Sequence, residues 1–172
     1  HTMITATQEK NVPSPGKQAM IYFDGVILAH CNEAEWNKFK AEHTNEAILD
    51  RIVRVNVPYT LEFDQEVKIY KKLIDRSDFD CHIAPHTLEI AAMFAVLSRL
   101  KGSSKVDPLT KMKIYNGEEI VEKGLIKKVD IKDLREEVED EGMTGISTRF
   151  VMKAIDAALA DSTKNMITPI SI

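Results

Sequence analysis

Three polar side chains sit where the surrounding sequence invites a chemical role: Asn32, Arg51 and Arg149. Asn32 ends the run Val26-Ile27-Leu28-Ala29-His30-Cys31 and is followed at once by Glu33-Ala34-Glu35-Trp36, a helix-forming stretch. An amide at the carboxyl end of a strand stands where open α/β sheets bind ligands. Asparagine in that place also caps helices, and from spacing alone the cap is the simpler reading. Arg51 lies in Ile48-Leu49-Asp50-Arg51-Ile52. It is either an exposed linker charge, the default for arginine, or a cation projecting toward an anion on a neighbouring subunit. Arg149 follows Gly145-Ile146-Ser147-Thr148. With Ser147 as cap, it falls in the first turn of a helix, where the dipole disfavours a cation by a few tenths to about 1 kcal/mol. That placement favours a nearby anion, either a carboxylate or a phosphate.

Other constellations carry less. His30-Cys31 and Cys81-His82 contain two Cys and two His, but neighbours on a strand point to opposite faces and do not readily share one ion. No metal is expected. His86 reads as a polar surface residue near a helix start. Ser147 has no evident His or Asp partner for a nucleophile role. Tyr22, Tyr59, Tyr70 and Tyr115 show no stacking pattern with basic residues.

The elements that must position these residues divide into two kinds. Residues 4–18 have loop composition, with Asn11, Pro13, Pro15 and Gly16. Ala19–Phe23 reads as a strand before the turn Asp24-Gly25. Its four apolar residues and acid imitate a magnesium-binding strand end, but Gly25 stands where a second acid is expected. Val26–Asn32, apolar on both faces, predicts a strand buried in a parallel sheet. Residues 33–48 predict a helix with Trp36, Phe39 and Lys40 on one face, interrupted at Thr44-Asn45, with Asn45–Arg51 a short second helix. Ile52–Val57 alternates and predicts a strand ending at Pro58.

After Pro58 apolar residues recur at helical spacing. Asp64 is the expected cap of a helix with Val67, Tyr70, Leu73 and Ile74 inward. Pro85 suits the first position of the next helix, which is apolar over most of its girth and therefore expected to be central. Gly102-Ser103-Ser104 ends it. Residues 107–116 read as a short helix or irregular segment, with breaks at Asn116-Gly117 and Gly124. Residues 130–141 predict an acidic helix with a solvated face of Glu136, Glu137, Glu139, Asp140 and Glu141. Gly142 ends it, and Ser147 caps a last helix with Val151, Ile155, Ala158 and Leu159 inward.

Composition bounds the function classes. The 172 residues are 44% hydrophobic and 29% charged, ordinary for a globular protein. Net charge is −4, from 23 Lys+Arg and 27 Asp+Glu, which argues against non-specific nucleic-acid binding. No apolar run approaches membrane-spanning length, and no membrane partner is expected. Two cysteines without a spacing motif suggest a reducing, cytoplasmic setting. His1-Thr2-Met3 reads as a tag remnant.

The order of these features resembles the second half of an AAA+ ATPase. Asn32 matches its sensor-1 position, Arg51 its arginine-finger position and Arg149 its sensor-2 position on a lid helix. More narrowly, five motifs together resemble the bacterial PrkA family of serine protein kinases. They are Ala29–Trp36, Val57-Pro58-Tyr59, Glu66–Tyr70, Ile83–Glu89 and Gly145–Arg149. The resemblance covers nearly the whole chain. It implies a mixed α/β, mostly helical fold: the C-terminal part of an AAA+ α/β core with two to three strands over 4–58, then a helical lid bundle over 59–172. It also implies ATP and Mg2+ in the full-length protein, a protein substrate, and a homo-oligomeric ring in which a trans arginine reaches the next subunit's ATP. The chain departs from the pattern in lacking G-x-x-x-x-G-K-[ST]. The expectation is therefore a fragment that holds no nucleotide tightly and is inactive alone. The alternative is a helical regulatory or substrate-docking module of an AAA+ protein whose output is not phosphorylation, such as proteolysis.

Overall fold

A computed structural model describes residues 5–16, 18–77, 81–122, 125–126, 129–138, 140–161 and 166–172. The expected tag remnant and the break at Gly124 lie outside them, as does Glu139. The fold is mixed α/β with short strands, and the chain divides into two compact units, residues 1–55 and 56–172. Among the described residues no helix is long and apolar enough to cross a membrane.

In the first unit, the stretch expected to be loop contains a single π-helical turn, Thr5–Glu9, and a strand, β1 (Asn11–Pro13). β1 pairs antiparallel with β2 (Met20–Tyr22), matching Asn11 to Tyr22 and Pro13 to Met20. This ladder overrides the loop-forming composition, with proline tolerated at the end of the strand. The helix after Asn32 forms as expected: α1 spans Glu33–Ala41, a 3-10 turn covers His43–Asn45, and α2 spans Glu46–Leu49. Trp36 and Phe39 stack with ring centroids 6.0 Å apart, and Arg54 lies over Trp36 while pairing with Glu33 at 2.8 Å.

Two expected strands do not form. Residues 26–32 and 52–57 join no sheet, and Val26, Leu28, Val53 and Val57 are all more than 80% exposed. A strand apolar on both faces is stable only with hydrogen-bonded neighbours and covering layers. Among the described residues none supplies either.

The second unit is a helical assembly. α3 spans Phe63–Ile74 and α4 spans Thr87–Arg99, with the two-residue strand β3 (His82–Ile83) between them. α5 is Pro108–Tyr115, β4 and β5 are Val121–Glu122 and Leu125–Ile126, and α6 is Ile131–Glu136. α7 spans Thr148–Asp161, and β6 (Met166–Ile167) pairs parallel with β3. Ala91, Ala92 and Ala95 of α4 pack with Phe63, Val67 and Tyr70 of α3 and with Val151 and Ile155 of α7. A second cluster joins Leu61, Val106, Ile114, Tyr115 and Leu134.

Several boundaries differ from the sequence expectation for tertiary reasons. Asp64 is not the cap of α3. Glu62 holds that position, and the Asp64 N–H donates to the Asn116 side chain at 3.1 Å. α4 begins at Thr87, not Pro85, because the Ala84 N–H donates to Ile167 O at 2.9 Å and prolongs the extended segment. His86 then turns the chain with φ +62°. α4 is not buried all round, since Ile90 and Phe94 are exposed. Residues 107–116 are helical because Asp107 accepts the Thr110 N–H at 3.0 Å and Pro108 follows it.

The acidic stretch is the largest correction. Its helix stops at Glu136, and among the described acids Glu137, Asp140 and Glu141 have partners, Asp140 lying 3.7 Å from Lys101 Nζ. Glu137 accepts from the Ser103 hydroxyl at 2.6 Å and from the Ser104 N–H and hydroxyl at 2.8 and 2.7 Å. Glu141 is buried. It accepts from Lys111 Nζ at 2.6 Å and from the Lys101 N–H at 2.8 Å, while Lys111 Nζ also donates to Lys101 O at 2.9 Å. The loop after α6 is thereby tied to the end of α4, and Gly142 reinforces the tie by donating to Arg99 O at 3.2 Å.

Removing one member of a buried pair leaves the other charge desolvated and unpaired. Lys111→Met is therefore expected to lower the unfolding free energy by roughly 3–5 kcal/mol, measured by urea titration of the helical circular-dichroism signal. Glu137 has its pKa lowered from 4.5 to about 2 by the Ser103 hydroxyl and the Ser104 donors. A carboxyl depressed in the folded state stabilises it above the unfolded pKa, and that contribution is lost as pH falls toward the folded value. The urea midpoint is expected to drop on acidification from about pH 5 toward about pH 2, and less steeply in Glu137→Gln.

Candidate functional site

Asn32 and Arg51 belong to the first unit, Arg149 to the second. Asn32 is a helix cap in the structure. Its Oδ1 accepts the Glu35 N–H at 2.8 Å, and Glu35 Oε2 accepts the Asn32 N–H at 3.3 Å, a reciprocal capping box. The cap uses only the amide oxygen. The amide nitrogen keeps its donors, so a cap and a donor toward an anion or a water are compatible in one side chain. Arg51 is exposed just beyond α2. Its Nη1 donates to Ala47 O and its Nη2 to Gln8 Oε1 at 3.1 Å. Among the described residues no hydrogen bond joins Asn32 to Arg51.

Arg149 lies where the sequence places it, in the first turn of α7. The Phe150 N–H donates to Ser147 Oγ at 3.2 Å, so Ser147 caps the helix as expected. Arg149 is exposed, and α7 has no acidic residue in its first turn. Lys153, one turn further on, is exposed as well, and i,i+4 residues share a helix face. Two cations therefore stand at the positive end of a helix dipole, an arrangement suited to phosphate oxygens.

What holds that helix start in place escaped the sequence reading. Arg99 and Glu66 form a fork-to-fork pair at 3.0 and 2.8 Å, with side chains 0% and 1% exposed. Arg99 Nε donates to Ile146 O at 2.8 Å, and Nη1 also donates to Thr60 O at 2.9 Å. Glu66 Oε1 accepts from Thr148 Oγ1 at 2.8 Å. The guanidinium carbon lies 5.0 Å from the Tyr59 ring centroid. Burial acts to raise the Glu66 pKa, but hydrogen bonds from Arg99 and Thr148 and the guanidinium charge together hold it below the usual carboxylate value. A signal did exist: Phe63, Glu66, Val67 and Tyr70 follow the helical stripe, and an acid on an apolar stripe needs a countercharge. Its partner, thirty-three residues on, was not legible.

Gly145 is required at this point. Its φ is +117°, and a Cβ there would lie 2.7 Å from Ser98 O and 2.9 Å from Arg99 Cα. The 145–147 segment thus rests directly on the end of α4. A cleft of about 440 Å³ opens nearby, lined among others by Tyr59, Tyr115, Arg135 and Glu141; Arg149 is not among its lining residues. Cys31 and Cys81 are free thiols, and among the described residues no three His, Cys, Asp or Glu side chains cluster to hold a metal.

Comparison with known proteins identifies a family. A family model described as the PrkA AAA domain matches residues 1–107, and one described as the PrkA serine protein kinase C-terminal domain matches residues 109–172. The ATP-dependent protease PrkA of Bacillus subtilis (strain 168) is 40% identical over 173 residues, 99% of this chain and 27% of that protein. The serine/threonine kinase YeaG of Escherichia coli (strain K12) is 41% identical over 157 residues, 90% of this chain and 24% of that protein. The chain thus spans about a quarter of the length of these curated relatives. No solved structure matches. With both family models in chain order and this identity over nearly its full length, the chain belongs to the PrkA family.

Proposed function

We propose that the chain is the sensor and lid portion of an ATP-dependent PrkA-like serine protein kinase built on an AAA+ ATPase. The observation that carries this is Arg149: an exposed cation in the first turn of a fourteen-residue helix, without a first-turn acid to neutralise it. A positive helix end with an added guanidinium fits a polyphosphate. In this reading Arg149 contacts the ATP phosphates as the sensor-2 residue. Asn32 acts as sensor 1, its amide nitrogen orienting the attacking water while its oxygen caps α1. Arg51 is the finger that reaches ATP bound by the next subunit, which calls for a head-to-tail ring. Its local partners, Ala47 O and Gln8, are neutral and exchangeable for phosphate oxygens.

The donor set fits phosphate oxygens and not the magnesium ion. Magnesium takes oxygen ligands, the Asn32 oxygen is engaged in its cap, and arginine offers no acceptor. Mg2+ would be held by oxygen ligands other than these three side chains, where it would neutralise charge on the phosphates. The exposed apolar segments 26–31 and 52–57 support the same reading, because such segments become strands once neighbouring strands pair with them.

A second reading is favoured by the relatives' names, one a protease and the other a kinase. The ATP-driven part is then shared, and the helical unit docks a regulator or a protein substrate whose processing is not phosphorylation.

Restoring the remainder of the protein separates these. In the full-length enzyme, Arg51→Ala is expected to reduce ATP turnover by about 10³-fold. Asn32→Ala should reduce it by about 10²-fold, and Arg149→Ala should raise the KM for ATP. Turnover unaffected by all three substitutions, with partner binding intact, supports the docking reading. The isolated chain is expected to show no micromolar ATP affinity by calorimetry.

A further inference from the structure

Arg149 is held by an arrangement more directional than packing requires. The residue before it, Thr148, donates through Oγ1 to Glu66 at 2.8 Å. Three residues before it, the Ile146 carbonyl accepts from Arg99 Nε at 2.8 Å, and the Ile146 N–H donates to Ser98 Oγ at 2.9 Å. Both sides of the Ser147 cap are therefore tied to one buried ion pair. The same guanidinium reaches Thr60 O at 2.9 Å, just after Tyr59, whose N–H donates to Gly142 O at 2.9 Å. Four hydrogen bonds from one arginine join the 59–62 linker, α3 and the start of α7.

Apolar residues of similar volume commonly stabilise a core as well as a buried ion pair does. A guanidinium fork adds fixed direction. Direction matters at this place because successive residues of an α-helix are about 100° apart around the axis. A one-residue slip at the start of α7 would carry Arg149 onto another face.

We propose that Glu66, Arg99 and Thr148 are positioning residues that set the rotation of α7, aim Arg149 at its phosphate and make that aim depend on the linker at Thr60. The inference rests on the assignment of Arg149 to ATP. It adds residues that touch no substrate and act only through Arg149.

The test uses the full-length enzyme and steady-state ATP hydrolysis. Thr148→Val keeps the shape of the side chain and removes only the hydroxyl. The KM for ATP is expected to rise roughly three- to tenfold, with the thermal midpoint changed by a few degrees at most. Thr148→Ser, which restores the hydroxyl, is expected to return KM to within about twofold of the parent. Arg99→Lys keeps the charge but loses the fork, and should raise KM in the same direction. The double variant Thr148→Val/Arg149→Ala is expected to be no worse than Arg149→Ala alone, because one effect passes through the other. An unchanged KM in Thr148→Val, or a full additive loss in the double variant, overturns the positioning role while leaving Arg149 on the phosphate. An Arg149→Ala enzyme with unchanged KM overturns the phosphate assignment itself, and the positioning role with it.

Discussion

One buried ion pair sets the conditions for the rest of the helical unit. Glu66 and Arg99 are almost wholly withdrawn from solvent, and neither tolerates that environment alone. The pair persists because nearly every donor of the guanidinium finds an acceptor: two carboxylate oxygens and two backbone carbonyls. Those carbonyls belong to segments far apart in the chain. A charge placed in an apolar interface has thus become the point where a linker, two helices and a loop meet. Lys111 and Glu141 repeat the device on the other side of the same loop, with Lys101 supplying both a donor and an acceptor. Between the two pairs lie Gly142 and Gly145, both at positive φ and both pressed against neighbouring chain, so that the loop has little room to rearrange.

This explains how an exposed and electrostatically awkward residue is presented. Arg149 sits at the helix end that repels it, with Lys153 one turn away. Without constraint, such a start would fray or shift register to relieve the charge. The capped serine, the Thr148 hydroxyl bond and the Gly145 contact keep it in place. The positive end stays available to an anion that neutralises both the dipole and the side chain. On the function proposed above, that anion is the phosphates of ATP. Relatives of similar identity carry protease and kinase names.

The first unit shows how local and tertiary order separate. Its capping box, formed within four consecutive residues, is complete. The apolar runs on either side of α1 and α2 remain outside any sheet and exposed, because sheet formation is a matter of partners and not of composition. The β1–β2 hairpin makes the same point in reverse. A stretch rich in proline and glycine became a strand once β2 was there to pair with it.

Local chemistry was legible in the residues alone: the Asn32 and Ser147 caps, the helices of 33–41 and 148–161, the breaks at Gly117 and Gly142, and the placement of Arg149 in a first turn. So was the family, through short motifs in a fixed order. These features depend on interactions spanning three or four residues, which a linear reading captures. Tertiary structure decided the rest: that His86 rather than Pro85 turns the chain into α4, that Asn116 serves the start of α3, and that Glu137 and Glu141 leave the acidic run to bind Ser103 and Lys111. It also decided that Glu66 finds Arg99. Each of these pairs residues thirty or more positions apart or across separate elements, where the carboxylate's need for a partner is written in the sequence but the partner's identity is set only by how the helices pack.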